Sequence, residues 1–454
     1  MSDWPTDPGP HPPTGPGPPP AGPVEPSAPP PSPTSGGPSA PWLVLAVGLV
    51  IALLAASVGV IVWRGRVDDG GAAAPSSTTR RSTTTEAAEP TPTTGTAPPA
   101  VAGGDIVPTG QAEVDATLAE LAAFVERERG LEFRQPVRVE LAADDAFEAR
   151  LLEDFERDAA ELTDDAEELI ALGFIDRGTD LAAELRQLLR VGVLGFYDPE
   201  TDELVVRGVE LTPYTRRTIV HELTHALDDQ WFDLDRPEYD DRPDEISFGF
   251  SAVVEGSATR VETAYEASLS PGERAELRRE EMAFALDADV SGIPLVLLQL
   301  ISAPYEAGED LVDEILASGG DDALARALTD PPTTSEQVLD FEAYEVREPA
   351  RAVTPPPVEG EPMGEGVFGQ LMLELLLDPV VGMARSEQVT DDWAGDWYVS
   401  WRTGDRSCVR LDVAMETATA LEELHDALGD WARTVPDARI ERPAPDLVRV
   451  TSCA

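Results

Sequence analysis

The sequence contains no lysine and no asparagine, and it has only four histidines and two cysteines. Every base is therefore an arginine, and 33 bases face 86 acids for a formal net charge of -53. So large a surplus excludes a nucleic-acid binder, because phosphates would be repelled rather than exchanged for counterions. The charge reads as a statement about solubility and a hydrated surface. Internal repeats are absent as well, so a solenoid or propeller is not expected.

Large apolar residues are nearly missing from residues 1–41, where Pro, Gly and Ser dominate ("PGPHPPTGPGPPPAGP"). A stretch that can bury so little is expected to be a disordered tail, open to protein partners. The one long apolar run follows it: "WLVLAVGLVIALLAASVGVIVW", Trp42 to Trp63, is 22 residues without a charge and has Trp at both ends. It is read as a single transmembrane helix, and its length and its distance from the N-terminus argue against a cleaved signal peptide. Residues 64–112, rich in Thr, Pro and Ala, read as a disordered stalk. That leaves roughly 340 residues, 113–454, for a folded domain.

Orientation rests on opposing signals. Arg64 and Arg66 follow the apolar run while residues 1–41 hold no base, which by the positive-inside rule alone puts the C-terminal domain in the cytoplasm. The stalk and the cysteine pair favour export, and we place the protein in the cell membrane as a single-pass protein with its domain outside the cytoplasm. Cys408 and Cys453 lie in or beside two short predicted strands, "CVRLDVAME" and "DLVRVTSC", and are expected to form a disulfide.

Helical periodicity in "VDATLAELAAFVERE", alternation in "FRQPVRVEL" and further helical spacing from Asp144 to Arg190 predict an α+β domain, mostly helical with small β elements. Residues 391–454 are expected to form its C-terminal α+β portion. "VGVLGFYDPETDELVV" reads as a β-hairpin, and Leu204 to Val206 could serve as an edge strand for an extended peptide. "DPPTTSEQVLD" predicts a turn into a helix packed beneath the site, and Ser270 with Glu273 a capping box.

Histidine is so scarce that its distribution is informative: of His11, His221, His225 and His425, two fall in "IVHELTHALDDQ". Thr212 can cap this helix, and Pro213 fits its first turn. His221 and His225 then lie one turn apart on one face, as two ligands of one zinc ion do, with Glu222 beside the metal where it can hold a water. No His follows at the short spacing of the H-x-x-G-x-x-H motif, so a carboxylate is expected as third ligand. Glu255 in "FGFSAVVEGSAT" is the first choice, since an apolar run leads to it and small residues follow; Glu262 is the reserve.

The stretch "HELTHALDD" resembles the active helix of the thermolysin-type gluzincins, zinc peptidases with a glutamate ligand on a following helix. The likeness covers His221 to Glu266 at most. It implies a zincin-like catalytic domain with His221, His225 and Glu255 as Zn2+ ligands and Glu222 as general base. The layout of "GFYDPETDELVV", "HELTHAL", "VEGSAT", "PYEAG", "DPPTTSEQVL" and "GDWYVSW" is also similar to bacterial membrane-anchored gluzincin-like proteins. Two departures stand out: the gap from His225 to Glu255 is longer than in thermolysin, and Thr259 occupies the place of an aspartate that follows the ligand. Asp229, four residues after His225, is the substitute chosen to support an imidazole. The oxyanion donor is assigned to Tyr398, with Tyr197, Tyr305 and His425 as alternatives.

These readings imply a membrane-anchored zinc metallopeptidase acting on a peptide or protein substrate. The rival is a non-catalytic envelope or surface interaction protein with a structural or vestigial zinc site.

Overall fold

The computed structural model describes residues 105–159, 162–239 and 242–454, which form an α+β fold that is predominantly helical. The Pro-rich tail, the apolar run Trp42–Trp63 and most of the stalk lie outside the described residues. Among the described residues no helix is long and apolar enough to cross a membrane. The last residues assigned to the stalk are tied to the domain: Ile106 is buried and bridges Val137 in parallel, with Val107 N donating to Val137 O and Val137 N to Asp105 O.

Helix α1 (Ala112–Arg129) leads to strand β1 (Arg138–Ala142), then to helices α2 (Asp144–Asp158), α3 (Leu162–Leu172) and α4 (Leu181–Gly192). The predicted hairpin follows as β2 (Gly195–Asp198) and β3 (Glu203–Arg207), paired antiparallel, with the turn residue Asp202 at positive φ. Leu204 to Val206 are not an edge, because β1 pairs in parallel with β3 along its whole length and makes it the middle strand. That partner lies far back in the sequence, out of reach of a hairpin reading. The edge beside the hairpin is β2. Arg207 N donates to Leu194 O, so alternation turns the backbone groups of Phe196 and Asp198 toward β3 and those of Gly195 and Tyr197 toward the open side.

Helix α5 (Pro213–Phe232) carries the two-histidine motif, and α6 (Ile246–Ser268), α7 (Pro271–Asp287) and α8 (Leu295–Thr329) follow. The inner side of α5 joins α1, β3 and Val261 and Tyr265 of α6 in one apolar core, including Leu118, Leu204, Ile219, Leu223 and Leu227. A second core, on Phe196 and Val205, gathers α2, α4 and the first half of α8 through Phe147, Leu185, Val296 and Tyr305. The expected capping box at α7 is present, with Ser270 Oγ accepting from Glu273 N and the Glu273 carboxylate accepting from Ser270 N. The "DPPTTSEQVLD" turn enters a short helix α9 (Ser335–Leu339) capped by Thr334, and Pro332 packs against Gly249 of α6.

After α10 (Phe341–Val346), a second sheet has the order β4-β5-β6-β8-β7, antiparallel throughout. Its strands are β4 (Glu361–Gly366), β5 (Trp393–Thr403), β6 (Arg406–Met415), β7 (Arg439–Ala444) and β8 (Leu447–Cys453), with helices α11 (Gly369–Val381), α12 (Met383–Thr390) and α13 (Ala418–Trp431). The sheet therefore starts upstream of residue 391, at β4. Cys408 and Cys453 face each other in the β6–β8 register and are joined in a disulfide. Ser452 Oγ donates to Ala171 O of α3, which fastens this sheet to the helical part.

Candidate metal centre

Three local features bring the site together. Thr212 accepts from Thr215 N and Pro213 opens the first turn, so α5 starts where the sequence reading put it and the His221–His225 face points inward. Second, α6 and α8 touch backbone to backbone: a Cβ on Gly256 would stand 2.1 Å from Gly308 O, and one on Gly308 would stand 2.1 Å from Ala252 O. Only glycine allows this approach, which sets Tyr305, one turn before Gly308, next to Glu255, the residue before Gly256. Third, Gly195 of β2 presses on α5, where a Cβ would meet Glu222 Oε1 at 3.1 Å.

His221, Glu222 and Glu255 are 0%, 1% and 0% exposed, and His225 is 4% exposed. His221 Nε2 lies 3.0 Å from His225 Nε2 and 3.2 Å from Glu255 Oε2, and His225 Nε2 lies 3.4 Å from the same oxygen. Donors about 2.0–2.1 Å from one small cation with tetrahedral angles are themselves about 3.3–3.4 Å apart. The His–His–Glu group therefore fits as a holder of one metal ion, its donor atoms all lying within 4.8 Å of one another.

The site also contains polar atoms that the protein leaves without hydrogen bonds: Glu222 Oε1, Glu255 Oε1 and the Tyr305 hydroxyl. Buried oxygens of this kind cost free energy unless something else binds them. Burial pushes the Glu222 carboxyl up to about 7, against the pull of His221 and His225. Burial also works against ionisation of Glu255, yet the two imidazoles hold its carboxyl below the usual range. The Tyr305 phenol is raised well above its ordinary value by burial and by the Glu255 carboxylate.

Glu262, the reserve ligand, takes another place. Its Oε2 accepts from His221 Nδ1–H at 2.9 Å, on the side of the ring away from Glu255. The role assigned to Asp229 is thus corrected. Asp229 sits in the last turn of α5, where its Oδ1 accepts from Leu234 N at 2.7 Å and its Oδ2 from the Tyr197 hydroxyl at 2.7 Å. A residue four beyond His225 serves the helix end and the edge strand rather than an imidazole.

Tyr398 is corrected too. It lies on β5 of the second sheet, its ring edge-on to Phe368 at 6.4 Å, and its phenol is raised by burial first and then by Glu168, Asp165, Glu365 and Asp396. Strand alternation sets it, half-buried, against that sheet's core. Among the alternatives, Tyr197 is engaged by Asp229 and Asp202, and His425 sits on α13 beside Asp426. Tyr305 is the one the fold brings in: its ring stacks on His221 with centroids 6.3 Å apart and an interplanar angle of 28°.

Sequence reasoning missed Arg217, one turn before His221, which is buried between Glu262 and Glu281. It also missed the ion pair of Arg129 and Asp228, where Arg129 Nη2 donates at 2.6 Å and Ser257 Oγ donates to the other carboxylate oxygen at 2.7 Å. Neither carried a sequence signal, since Arg217 stands between Arg216 and Thr218 and Arg129 between Glu128 and Gly130. A scan against protein families, a search of curated proteins and a search of solved structures each found no match to the chain.

Proposed function

We propose that this chain is a zinc-dependent peptidase of zincin-like build, anchored in a membrane by Trp42–Trp63 with its domain outside the cytoplasm. The observation that carries the reading is Glu222 Oε1, a buried carboxylate oxygen with no partner beside a His–His–Glu group of tetrahedral spacing. A purely structural metal site needs four protein ligands and no spare base. His221, His225 and Glu255 would hold zinc, which when bound lowers the pKa of a water toward neutrality and polarises a carbonyl oxygen.

Glu222 then takes the water's proton and returns it to the leaving amine. Burial works against the charged form of this carboxyl and so favours uptake of the proton it receives. The Tyr305 hydroxyl, buried and without a hydrogen bond, donates to the negative charge growing on the carbonyl oxygen. Gly195 and Tyr197 turn their backbone groups away from β3, next to Glu222; this edge is buried, and an extended peptide would pair there as an added strand only once it is uncovered.

One observation favours the rival reading, a zinc-holding envelope protein without activity: the ligands are buried almost completely. Catalysis would therefore require a movement that uncovers them. The deciding experiment is peptide hydrolysis and metal content of the full-length protein and Glu222→Gln. Zinc retained with hydrolysis lost by a factor of about 10²–10⁴ supports the enzyme. Zinc bound by both with no hydrolysis by either, over a diverse peptide set, supports the rival.

A further inference from the structure

Helices α5 and α6 run antiparallel, and their facing residues form two successive rungs. On one rung His221 meets Glu255; one turn toward the start of α5, Arg217 meets Glu262. Glu262 spans both, because its Oε1 lies 3.2 Å from Arg217 Nε while its Oε2 accepts from His221 Nδ1 at 2.9 Å. On its far side Arg217 pairs through Nη1 with Glu281 of α7, and its guanidinium carbon lies 5.2 Å from the Tyr214 ring centroid. The Arg217 side chain is 4% exposed and that of Glu262 11%.

An arginine in such a place has a restricted range of functions. A buried Glu262 without a cation would be free to turn, and it would then cease to fix the imidazole. Glu255 and His225 already occupy the other face of that ring. The tautomer with its proton on Nδ1 is the only one that leaves the Nε2 lone pair facing them.

We infer that Arg217 is a positioning residue of the metal centre. Held by Glu281, it holds Glu262 against His221 Nδ1 and so fixes the tautomer and orientation in which His221 presents Nε2 to the ion. This rests on the metal site proposed above, but not on hydrolysis. The arrangement links α7, a third helix, to the ligand set.

The test is zinc affinity, measured by competition with a chromophoric chelator on the full-length protein, together with the visible absorption of the cobalt-substituted form. Arg217→Gln and Glu262→Gln should each weaken zinc binding about 10–100-fold and alter the cobalt spectrum. The double variant should bind no more weakly than the worse single one, and Arg217→Lys should recover part of the loss. Unchanged affinity in folded single variants, or losses that multiply in the double variant, would overturn the inference. Should Arg217→Gln not fold, Glu281→Gln replaces it: weaker zinc binding is expected, and unchanged binding overturns. A native protein that binds no zinc is a separate outcome, which removes the metal site itself and this inference with it.

Discussion

Tyr305 and His221 stack with their ring centroids 6.3 Å apart, although one stands on α8 and the other on α5. The contact places a phenol hydroxyl beside the Glu255 carboxylate at the candidate metal centre. Replacement of this tyrosine by phenylalanine keeps the stack and removes only the donor. Tyr305→Phe should lower kcat about 10²–10³-fold with zinc affinity unchanged, as loss of an oxyanion donor does. Tyr398→Phe should leave kcat where it is. Steady-state kinetics on the two variants checks both statements, and a large loss in Tyr398→Phe alone would reverse the assignment.

Gly256 and Gly308 determine how close Tyr305 comes to Glu255. A Cβ on Gly256 would stand 2.1 Å from Gly308 O, which is backbone and cannot swing aside. Gly256→Ala should therefore force α6 and α8 apart, at a cost of about 1–3 kcal/mol or more in stability. It should weaken zinc binding as well, since Glu255 is the adjacent residue. Thermal unfolding and a zinc titration measure the two effects, and full stability in the alanine variant would show that the crossing is looser than described.

These cases show what the sequence could reveal and what it could not. The capped start of α5, the capping box of α7, the hairpin and the pairing of His221 with His225 are local patterns, readable from spacing alone. Glu255 could be anticipated because an acid between an apolar run and small residues has few stable environments. Tyr305, Glu262 and Arg217 gain their places from contacts between different helices, and spacing along one helix does not record them. Asp229 misled for the same reason: four residues after His225 is a suitable spacing, but a last-turn aspartate is claimed by the chain that folds back over the helix end. The place of β3 in its sheet depended likewise on β1, a partner far back in the sequence.

Stability should fall as pH rises from about 5 to 8. Burial raises the carboxyls of Glu168 and Glu245 to about 7, Glu336 to about 8, and Glu374 and Asp396 to about 6. Each has a higher affinity for its proton in the folded state than in the unfolded chain. The folded state is therefore favoured below the unfolded value and loses that advantage as pH climbs through the folded one. For Glu245 the span from 4.5 to about 7 corresponds to at most about 3 kcal/mol. Glu245→Gln keeps an acceptor for Ser335 N and should flatten part of the slope. Urea unfolding at pH 5.5 and 8 compares the two proteins, and equal slopes would exclude Glu245 as a contributor.

The most direct measurement of the proposed metal centre is anomalous X-ray scattering at the zinc edge from crystals of the full-length protein grown with zinc. Expected is one peak about 2.0–2.2 Å from His221 Nε2, His225 Nε2 and a Glu255 oxygen, with a water between it and Glu222. Glu262 should remain on His221 Nδ1, off the ion. A peak that leaves out Glu255, a Glu262 oxygen in its place, or no peak between the two histidines would contradict the site described here.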